Sequence, residues 1–332
     1  MTQTKFLCIL TAVMRIVIGR SLTTIIMAGL LTAGGLLLTA AGPLKTGFNP
    51  KDLPPDLHSV SIRDIPIVYS DQGQGDPLVI LSPYPFSTGL WAELTKRLSG
   101  SARVIVVEPP GLRAPSFMGG DFSTVHLLYI YRDFVKALGI TNVHIMGVGE
   151  TGALAVAFGH HFPEITTSIV SINGFESARW SEGIEKTLNY FKQSTEKGPK
   201  TLLAIGSIKY REQPPSREEM DRLFVPLNEE EQRNAFQARM EAYIDDIKTV
   251  IILAMIPNVN RPVLLIRSKG DELLTEEYIE RTRSQIRKAP IQYQVIPQAG
   301  HFAFLDQPEK VAELVRTFLS DHPISKGMPR TN

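Results

Sequence analysis

The sequence predicts an α/β fold: a mostly parallel, eight-stranded sheet that is flanked by helices and interrupted by an inserted helical segment. Short apolar runs alternate with longer amphipathic stretches from residue 59 to residue 322, which is typical of βαβ units. The segment between 176 and 257 breaks this alternation, because its pattern is charged and helical throughout. The 332 residues are ample for one large domain with such an insertion.

Eight strands are expected in chain order. The first two form an antiparallel entry to the sheet, and most of the others are apolar runs that suit strands buried on both faces. The expected strands are 59–63, 66–70, 78–82, 104–108, 143–147, 168–173, 263–267 and 292–296. Amphipathic periodicity predicts the main helices at 89–98, 123–138, 150–161, 276–288 and 308–319.

The insertion, residues 176–258, is predicted to form a helical lid. Ser216 with Glu219, and Asn228 with Glu231, have the spacing of a capping box at a helix start. The insertion follows one strand of the sheet and precedes the next, so we expect it to lie over the carboxyl edge of the strands. Open α/β sheets bind ligands at that edge.

A long uncharged segment, from Ser21 to Leu44, precedes the α/β domain. Its apolar run of roughly 20 residues is long enough to cross a bilayer as a helix. Lys5, Arg15 and Arg20 come before it, and the positive-inside rule then places the N-terminus in the cytoplasm. The domain is expected on the opposite side of the membrane.

A second interpretation of this segment stays open. The stretch at 38–41, LTAA, has features of a signal-peptidase site, and cleavage there would make the protein secreted or periplasmic. The apolar run exceeds a usual signal-peptide core, which favours an uncleaved anchor. The expected organisation is an anchor or signal segment (1–44), two halves of the α/β core (45–175 and 259–322), the lid (176–258) and a tail (323–332).

Composition narrows the classes of function. The net charge is +1, and the 35 basic residues are spread among 34 acidic ones, so the clustered charge of a nucleic-acid-binding protein is missing. The single cysteine, Cys8, precedes the domain, which therefore has no disulfide and no cysteine metal ligand. His144, His160 and His161 have no ligand-like spacing with acidic residues, so no metal or other cofactor is expected.

The segment VHIMGVGETG, at 143–152, is expected to form a strand, a sharp turn and the start of a helix. This is the arrangement of a nucleophile elbow, G-x-S-x-G, which presents the attacking side chain at the end of a strand. Gly149 occupies the position of the nucleophile, and Thr151 replaces the last glycine of the motif. The sequence therefore predicts an elbow that has lost its attacking atom, so no acyl-enzyme or alkyl-enzyme can form there.

Two later segments supply an acid and a histidine. The stretch SKGD, at 268–271, follows an apolar strand, and the stretch QAGHF, at 298–302, is followed by LDQPE at 305–309. Asp271 and His301 thus come after the elbow in the order that a nucleophile–acid–histidine site requires. The chain keeps two of the three members of a catalytic triad.

On these segments, together with EPPGLR at 108–113, the chain resembles the α/β-hydrolase superfamily, in particular its lidded branch of esterases, epoxide hydrolases and haloalkane dehalogenases. The resemblance spans roughly residues 59–322 and is specific for fold rather than substrate. It implies that Asp271 orients His301, and that the backbone N–H groups of Tyr84 and Glu150 form an oxyanion hole. The family's His-Gly dipeptide beside that hole is replaced at 82–83, but Tyr84 retains its N–H, so we expect the hole to survive.

Two functions are compatible with these residues. In the first, Asp271 and His301 act as a general base on a water, for which the missing side chain at Gly149 leaves room, or on a small apolar or lipid-like substrate itself. In the second, the chain is a pseudoenzyme that binds a ligand in the pocket or a protein on its surface. Glu150, Thr151 and Ser82 are poor replacement nucleophiles, because their side chains should not share the aim of the elbow.

Overall fold

The fold is taken from a computed structural model, which describes residues 48–176, 218, 222–223, 230–248 and 256–324. Their strands, in chain order, are β1 (His58–Ile62), β2 (Ile65–Gln72), β3 (Pro77–Leu81), β4 (Arg103–Val107), β5 (Val143–Val148), β6 (Thr166–Ile172), β7 (Val263–Ser268) and β8 (Ile291–Ile296).

These strands form one sheet, in the order β1-β2-β4-β3-β5-β6-β7-β8. Strand β2 pairs antiparallel with both β1 and β4, and every other pairing is parallel. The predicted sheet is confirmed, with each strand within two residues of its expected bounds.

The α-helices of the described residues are α1 (Ala92–Leu98), α2 (Thr124–Ala137), α3 (Glu150–His161), α4 (Glu230–Lys248), α5 (Glu276–Gln285), α6 (Ala303–Asp306) and α7 (Pro308–Asp321). Short 3₁₀ turns occupy Pro50–Asp52, Thr88–Trp91, Pro115–Met118 and Ile256–Asn258. The predicted helix at 276–288 ends early, at Gln285, because the backbone of Ile286 is extended.

The core consists of two apolar layers, one on each face of the sheet. Helices α2 and α3 pack on one face, and α1 and α7 pack on the other. Strand β5 shows the alternation that produces the layers, since Val143 and Ile145 enter the first layer whereas Met146 and Val148 enter the second. All six residues of β5 are buried, so its carboxyl end is held firmly in the middle of the sheet.

The predicted N-terminal segment, 1–44, lies outside the described residues. Among the residues that the structure describes, no helix is both long and apolar enough to cross a membrane. Of the predicted lid, 176–258, the described part comprises residue 176, residues 218 and 222–223, helix α4 and the turn Ile256–Asn258.

Candidate active site

The candidate site lies at the carboxyl ends of the central parallel strands. Tyr84 follows β3, Gly149 and Glu150 follow β5, Asp271 follows β7, and His301 follows β8. Parallel strands bring the loops that follow them to one edge of the sheet. The fold therefore brings together residues that are separated by more than 200 positions in the sequence.

Asp271 and His301 form a buried hydrogen-bonded pair, with His301 Nδ1 2.8 Å from Asp271 Oδ2. The other oxygen of Asp271 accepts the N–H of Leu273 at 2.9 Å. An ionised carboxylate only accepts hydrogen bonds, so Nδ1 donates and Nε2 is left as the basic atom. Phe175 stacks on the imidazole, with centroids 5.3 Å apart, and Phe302 meets it edge-on at 5.1 Å. The ring is thereby held in one orientation, as a general base requires.

The backbone at Gly149 has the sharp strand-to-helix turn that the elbow motif predicts. Its φ is +54° and its ψ is −118°, a conformation that L side chains rarely adopt. The N–H of Gly149 donates to the carbonyl of Ile172 (3.1 Å), and its carbonyl accepts the N–H of Phe175 (3.0 Å). At Gly147 the turn is so tight that a Cβ would lie 2.2 Å from the carbonyl oxygen of Thr151.

His301 stands directly against the elbow. A Cβ built on Gly149 would lie 2.8 Å from Nε2 of His301, which is closer than carbon atoms normally approach. A water placed between Nε2 of His301 and Cα of Gly149, at hydrogen-bond distance from Nε2, would lie within covalent-bond distance of that Cα. The room expected for a water is therefore restricted, and a water on Nε2 has to lie to the side of Gly149.

The hydroxyls of Thr151 and Ser82 have structural roles. The Thr151 hydroxyl oxygen lies 2.8 Å from the carbonyl of Leu81 and ties the elbow to the end of β3. The Ser82 hydroxyl lies 3.1 Å from the carbonyl of Phe86 and accepts the indole N–H of Trp91 at 3.2 Å. These bonds support the expectation that neither side chain replaces the missing nucleophile.

Glu150 changes the expected oxyanion hole. Its Oε1 accepts the backbone N–H of Tyr84 at 3.1 Å, and both residues are buried. The N–H that was expected to serve a reacting oxygen is therefore already bonded to a carboxylate of the chain itself. This contact opposes the use of the Tyr84 N–H as an open oxyanion donor, and the sequence does not show that the Glu150 side chain reaches back from α3 to the loop after β3.

Helix α4 of the predicted lid segment reaches the same place. Arg239 Nη2 lies 3.3 Å from Glu150 Oε2, although the two groups are not aligned for a hydrogen bond. Arg239 also donates from Nη1 to the carbonyl of Phe122 at 2.9 Å, and the ring of Phe236 stacks on Tyr84. Burial raises the pKa of the Tyr84 hydroxyl, and the charge of Glu150 adds to this rise, so the phenol stays protonated.

Asn173, which follows β6, was not predicted as a site residue, yet it links the two loops that carry Asp271 and His301. Its Nδ2 donates to the carbonyl of His301 (2.8 Å) and to the hydroxyl of Ser268 (2.9 Å). Its Oδ1 accepts the N–H of Ser268 at 2.9 Å, and the residue is fully buried. In the sequence, Asn173 is marked by being a polar residue at the end of an apolar strand. Many asparagines with purely structural roles have the same pattern.

A buried ion pair lies near this link. Arg267 Nη2 lies 2.9 Å from Glu176 Oε2, and both side chains are almost completely buried. The hydroxyl of Ser171 donates to the other oxygen of Glu176. The pair connects the end of β7 to the first residue of the predicted lid segment.

Comparisons with known proteins show the family and the fold of the chain. The model of the alpha/beta hydrolase family matches residues 78–314. Epoxide hydrolase 3 of Xenopus tropicalis is 21% identical over an alignment of 321 residues that covers 88% of this chain and 86% of that protein.

Two solved structures share the fold. A membrane phospholipase A, described as a bacterial virulence factor, aligns with a TM-score of 0.64 and 18% identity over 92% of this chain and 98% of that one. The haloalkane dehalogenase DbeA from Bradyrhizobium elkani USDA94 aligns with a TM-score of 0.66 and 14% identity over 80% of this chain and 97% of that one. At such identities the likeness shows the fold alone.

Proposed function

Because this chain belongs to the α/β-hydrolase family, we propose that it is an enzyme whose general base is the His301–Asp271 pair and which forms no covalent intermediate. The observation that carries the proposal is the buried 2.8 Å hydrogen bond between these residues, with Nε2 directed at the elbow. Gly149 offers no atom for nucleophilic attack, so the base acts on a water or on a proton of the substrate.

The proposed substrate is a small apolar or lipid-like molecule. Phe175 and Phe302 flank the imidazole, so the surface immediately around the ring is aromatic. Relatives in fold include a membrane phospholipase A, and the curated relative is an epoxide hydrolase. An apolar or lipid substrate also suits a domain tethered by the expected membrane segment, because such substrates partition into bilayers.

The test is turnover of a panel of activated acyl esters and epoxides, with increasing alkyl length, by the full chain. We expect unaltered protein to form product and His301→Ala to lose about 10²–10⁴-fold in rate, the usual contribution of a general base. Intact-mass measurement during turnover should show no adduct. Equal turnover by His301→Ala and unaltered protein would sink the proposal.

A second candidate function is ligand binding without turnover. It is favoured by the carboxylate of Glu150 on the Tyr84 N–H, because that position has to be free for acyl transfer through a tetrahedral oxyanion. The discriminating variants are Gly149→Ser and Gly149→Asp, assayed on the same panel beside unaltered protein. Activity that arises only in these variants identifies the natural chain as a pseudoenzyme on an intact scaffold.

Residues 1–44 are proposed to tether the domain to a membrane, with the N-terminus cytoplasmic. The uncharged stretch from Ser21 to Leu44 and the preceding Lys5, Arg15 and Arg20 support this orientation. The mass of the mature protein separates an intact anchor from cleavage near Ala40. Protease protection in sealed vesicles then reports the side on which the domain lies.

A further inference from the structure

The position that an oxyanion would occupy is built as an anion site and is filled by the chain itself. Glu150 Oε1 accepts the Tyr84 N–H at 3.1 Å, and the guanidinium of Arg239 lies 3.3 Å from Oε2. Glu150 also stands in the first turn of α3, whose N-terminus favours a negative charge. An N–H donor, a guanidinium and a helix N-terminus thus converge on one buried carboxylate.

The surroundings of Glu150 leave polar atoms unsatisfied. Glu150 Oε2 and the hydroxyl of Tyr84 are both buried and have no hydrogen-bond partner among the described residues. Both residues line a small, largely enclosed cavity together with Arg239, Tyr131 and the apolar Leu127. The cavity volume is about 10 Å³, room for one water at most, so space for a ligand arises only when the Glu150 side chain is removed.

A second negative charge at this position is opposed by Glu150. Two like charges within a few ångströms repel strongly when both are shielded from water. The guanidinium of Arg239 balances one carboxylate, not two. A carboxylate ligand, or an oxyanion formed during a reaction, therefore competes with Glu150 for the same donors.

We propose that Glu150 is the residue that determines specificity for charge at this site: it occupies an anion-binding position and thereby excludes acids and oxyanions. This inference deepens the proposed function, on which it rests, because it restricts the His301–Asp271 base to uncharged substrates and disfavours the acyl esters of the panel, whose hydrolysis places a negative charge at the Tyr84 N–H. Removal of the carboxylate should turn the same position into a binding site for a small carboxylate.

The experiment measures thermal unfolding of the full chain during titration with acetate, against chloride at equal ionic strength and against uncharged acetamide. We expect acetate to raise the midpoint of Glu150→Ala saturably, by about 2–4 °C at high occupancy. In unaltered protein the carboxylate of Glu150 already fills the anion position, so acetate and chloride should change the unfolding midpoint equally.

Two control variants separate the anion site from a general effect of acetate. Glu150→Gln fills the same space without charge and should show no response specific to acetate. Glu150→Ala with Arg239→Met lacks the guanidinium and should lose most of the response. If acetate, chloride and acetamide act alike on Glu150→Ala, the proposal is wrong.

A folding defect in Glu150→Ala still gives an answer. Glu150→Ser also empties the position, and acetate present during expression and refolding should increase the folded yield of either variant. Failure of acetate to stabilise or recover both variants overturns the proposal. The readout is unfolding rather than turnover, so inactivity on the substrate panel leaves this result independent of the proposed function.

Discussion

The two halves of the candidate site differ in what they retain. In the histidine half, Asp271 and His301 form a buried pair, and Asn173 ties their loops together through the carbonyl of His301. In the elbow half, Gly149 keeps the turn without a nucleophile, and Glu150 occupies the N–H of the oxyanion loop. The sheet fixes where the loops meet, whereas single side chains decide the chemistry. The histidine half keeps the geometry that the proposed base requires, whereas the elbow half lacks a nucleophile and has the Tyr84 N–H occupied.

The largest expected effect concerns the support of the histidine half. Arg267→Met should destabilise the protein by about 3–5 kcal/mol, because it leaves the carboxylate of Glu176 buried without a counter-charge. Urea unfolding measures the loss. The matched double variant, Arg267→Met with Glu176→Gln, removes the buried charge and should recover much of it. A cost below about 1 kcal/mol for Arg267→Met would show that this pair does not support the histidine half.

A buried histidine outside both halves predicts the pH dependence of stability. His144, on β5, is buried beside the hydroxyl of Ser168, and burial lowers its pKa from 6.5 to about 4. Between these values only the unfolded chain takes up the proton, so stability is complete above pH 6.5 and falls as the pH approaches 4. The loss approaches about 3 kcal/mol.

His144→Asn is the control for this effect. Its side chain can replace the bond to Ser168 but does not titrate, so the difference in stability between the two proteins should shrink as the pH falls from 7 to 4. A difference that is constant over this range contradicts the assignment. The dependence of stability on pH also shows how much of any pH dependence of activity comes from unfolding rather than from the Asp271–His301 pair.

Asn173 tests whether the histidine half acts as a connected unit. Asn173→Ala leaves the N–H of Ser268 and the carbonyl of His301 without their partner, and should cost about 1–3 kcal/mol. Asn173→Asp keeps the acceptor and loses the donor, so it should retain the bond to the Ser268 N–H alone. If Asn173→Ala unfolds at the same urea concentration as unaltered protein, the link is not stabilising.

The smallest effect concerns the elbow. Gly149→Ala should cost about 1–2 kcal/mol from backbone strain, plus the contact with His301 Nε2. Gly119 is a partial control: its φ is +58° and a Cβ there meets nothing within 4 Å, but its ψ is +20°, in the left-handed helical region, whereas the ψ of Gly149 is −118°. Gly149→Ala should therefore be worse than Gly119→Ala, and the difference should shrink when His301 is also replaced by Ala. Equal costs in both backgrounds would contradict the close contact.

The strands and helices could be predicted from the sequence because each depends on the pattern of its own residues. The helix at 150–161 has the predicted bounds, since its start is set by the turn at Gly149. The bonds between distant positions could not be predicted. Glu150 and Arg239 are 89 positions apart, and Glu176 and Arg267 are 91 apart. No local pattern distinguishes such partners from ordinary charged surface residues.

The most direct test of the central claim is a single turnover of styrene oxide in H₂¹⁸O, with protein in excess over substrate. The account predicts diol that carries ¹⁸O from the first turnover and protein that gains no label, because a water activated by His301 attacks directly. Unlabelled diol in the first turnover would mean that a carboxylate of the protein attacks first. That result contradicts catalysis by the His301–Asp271 pair without a covalent intermediate.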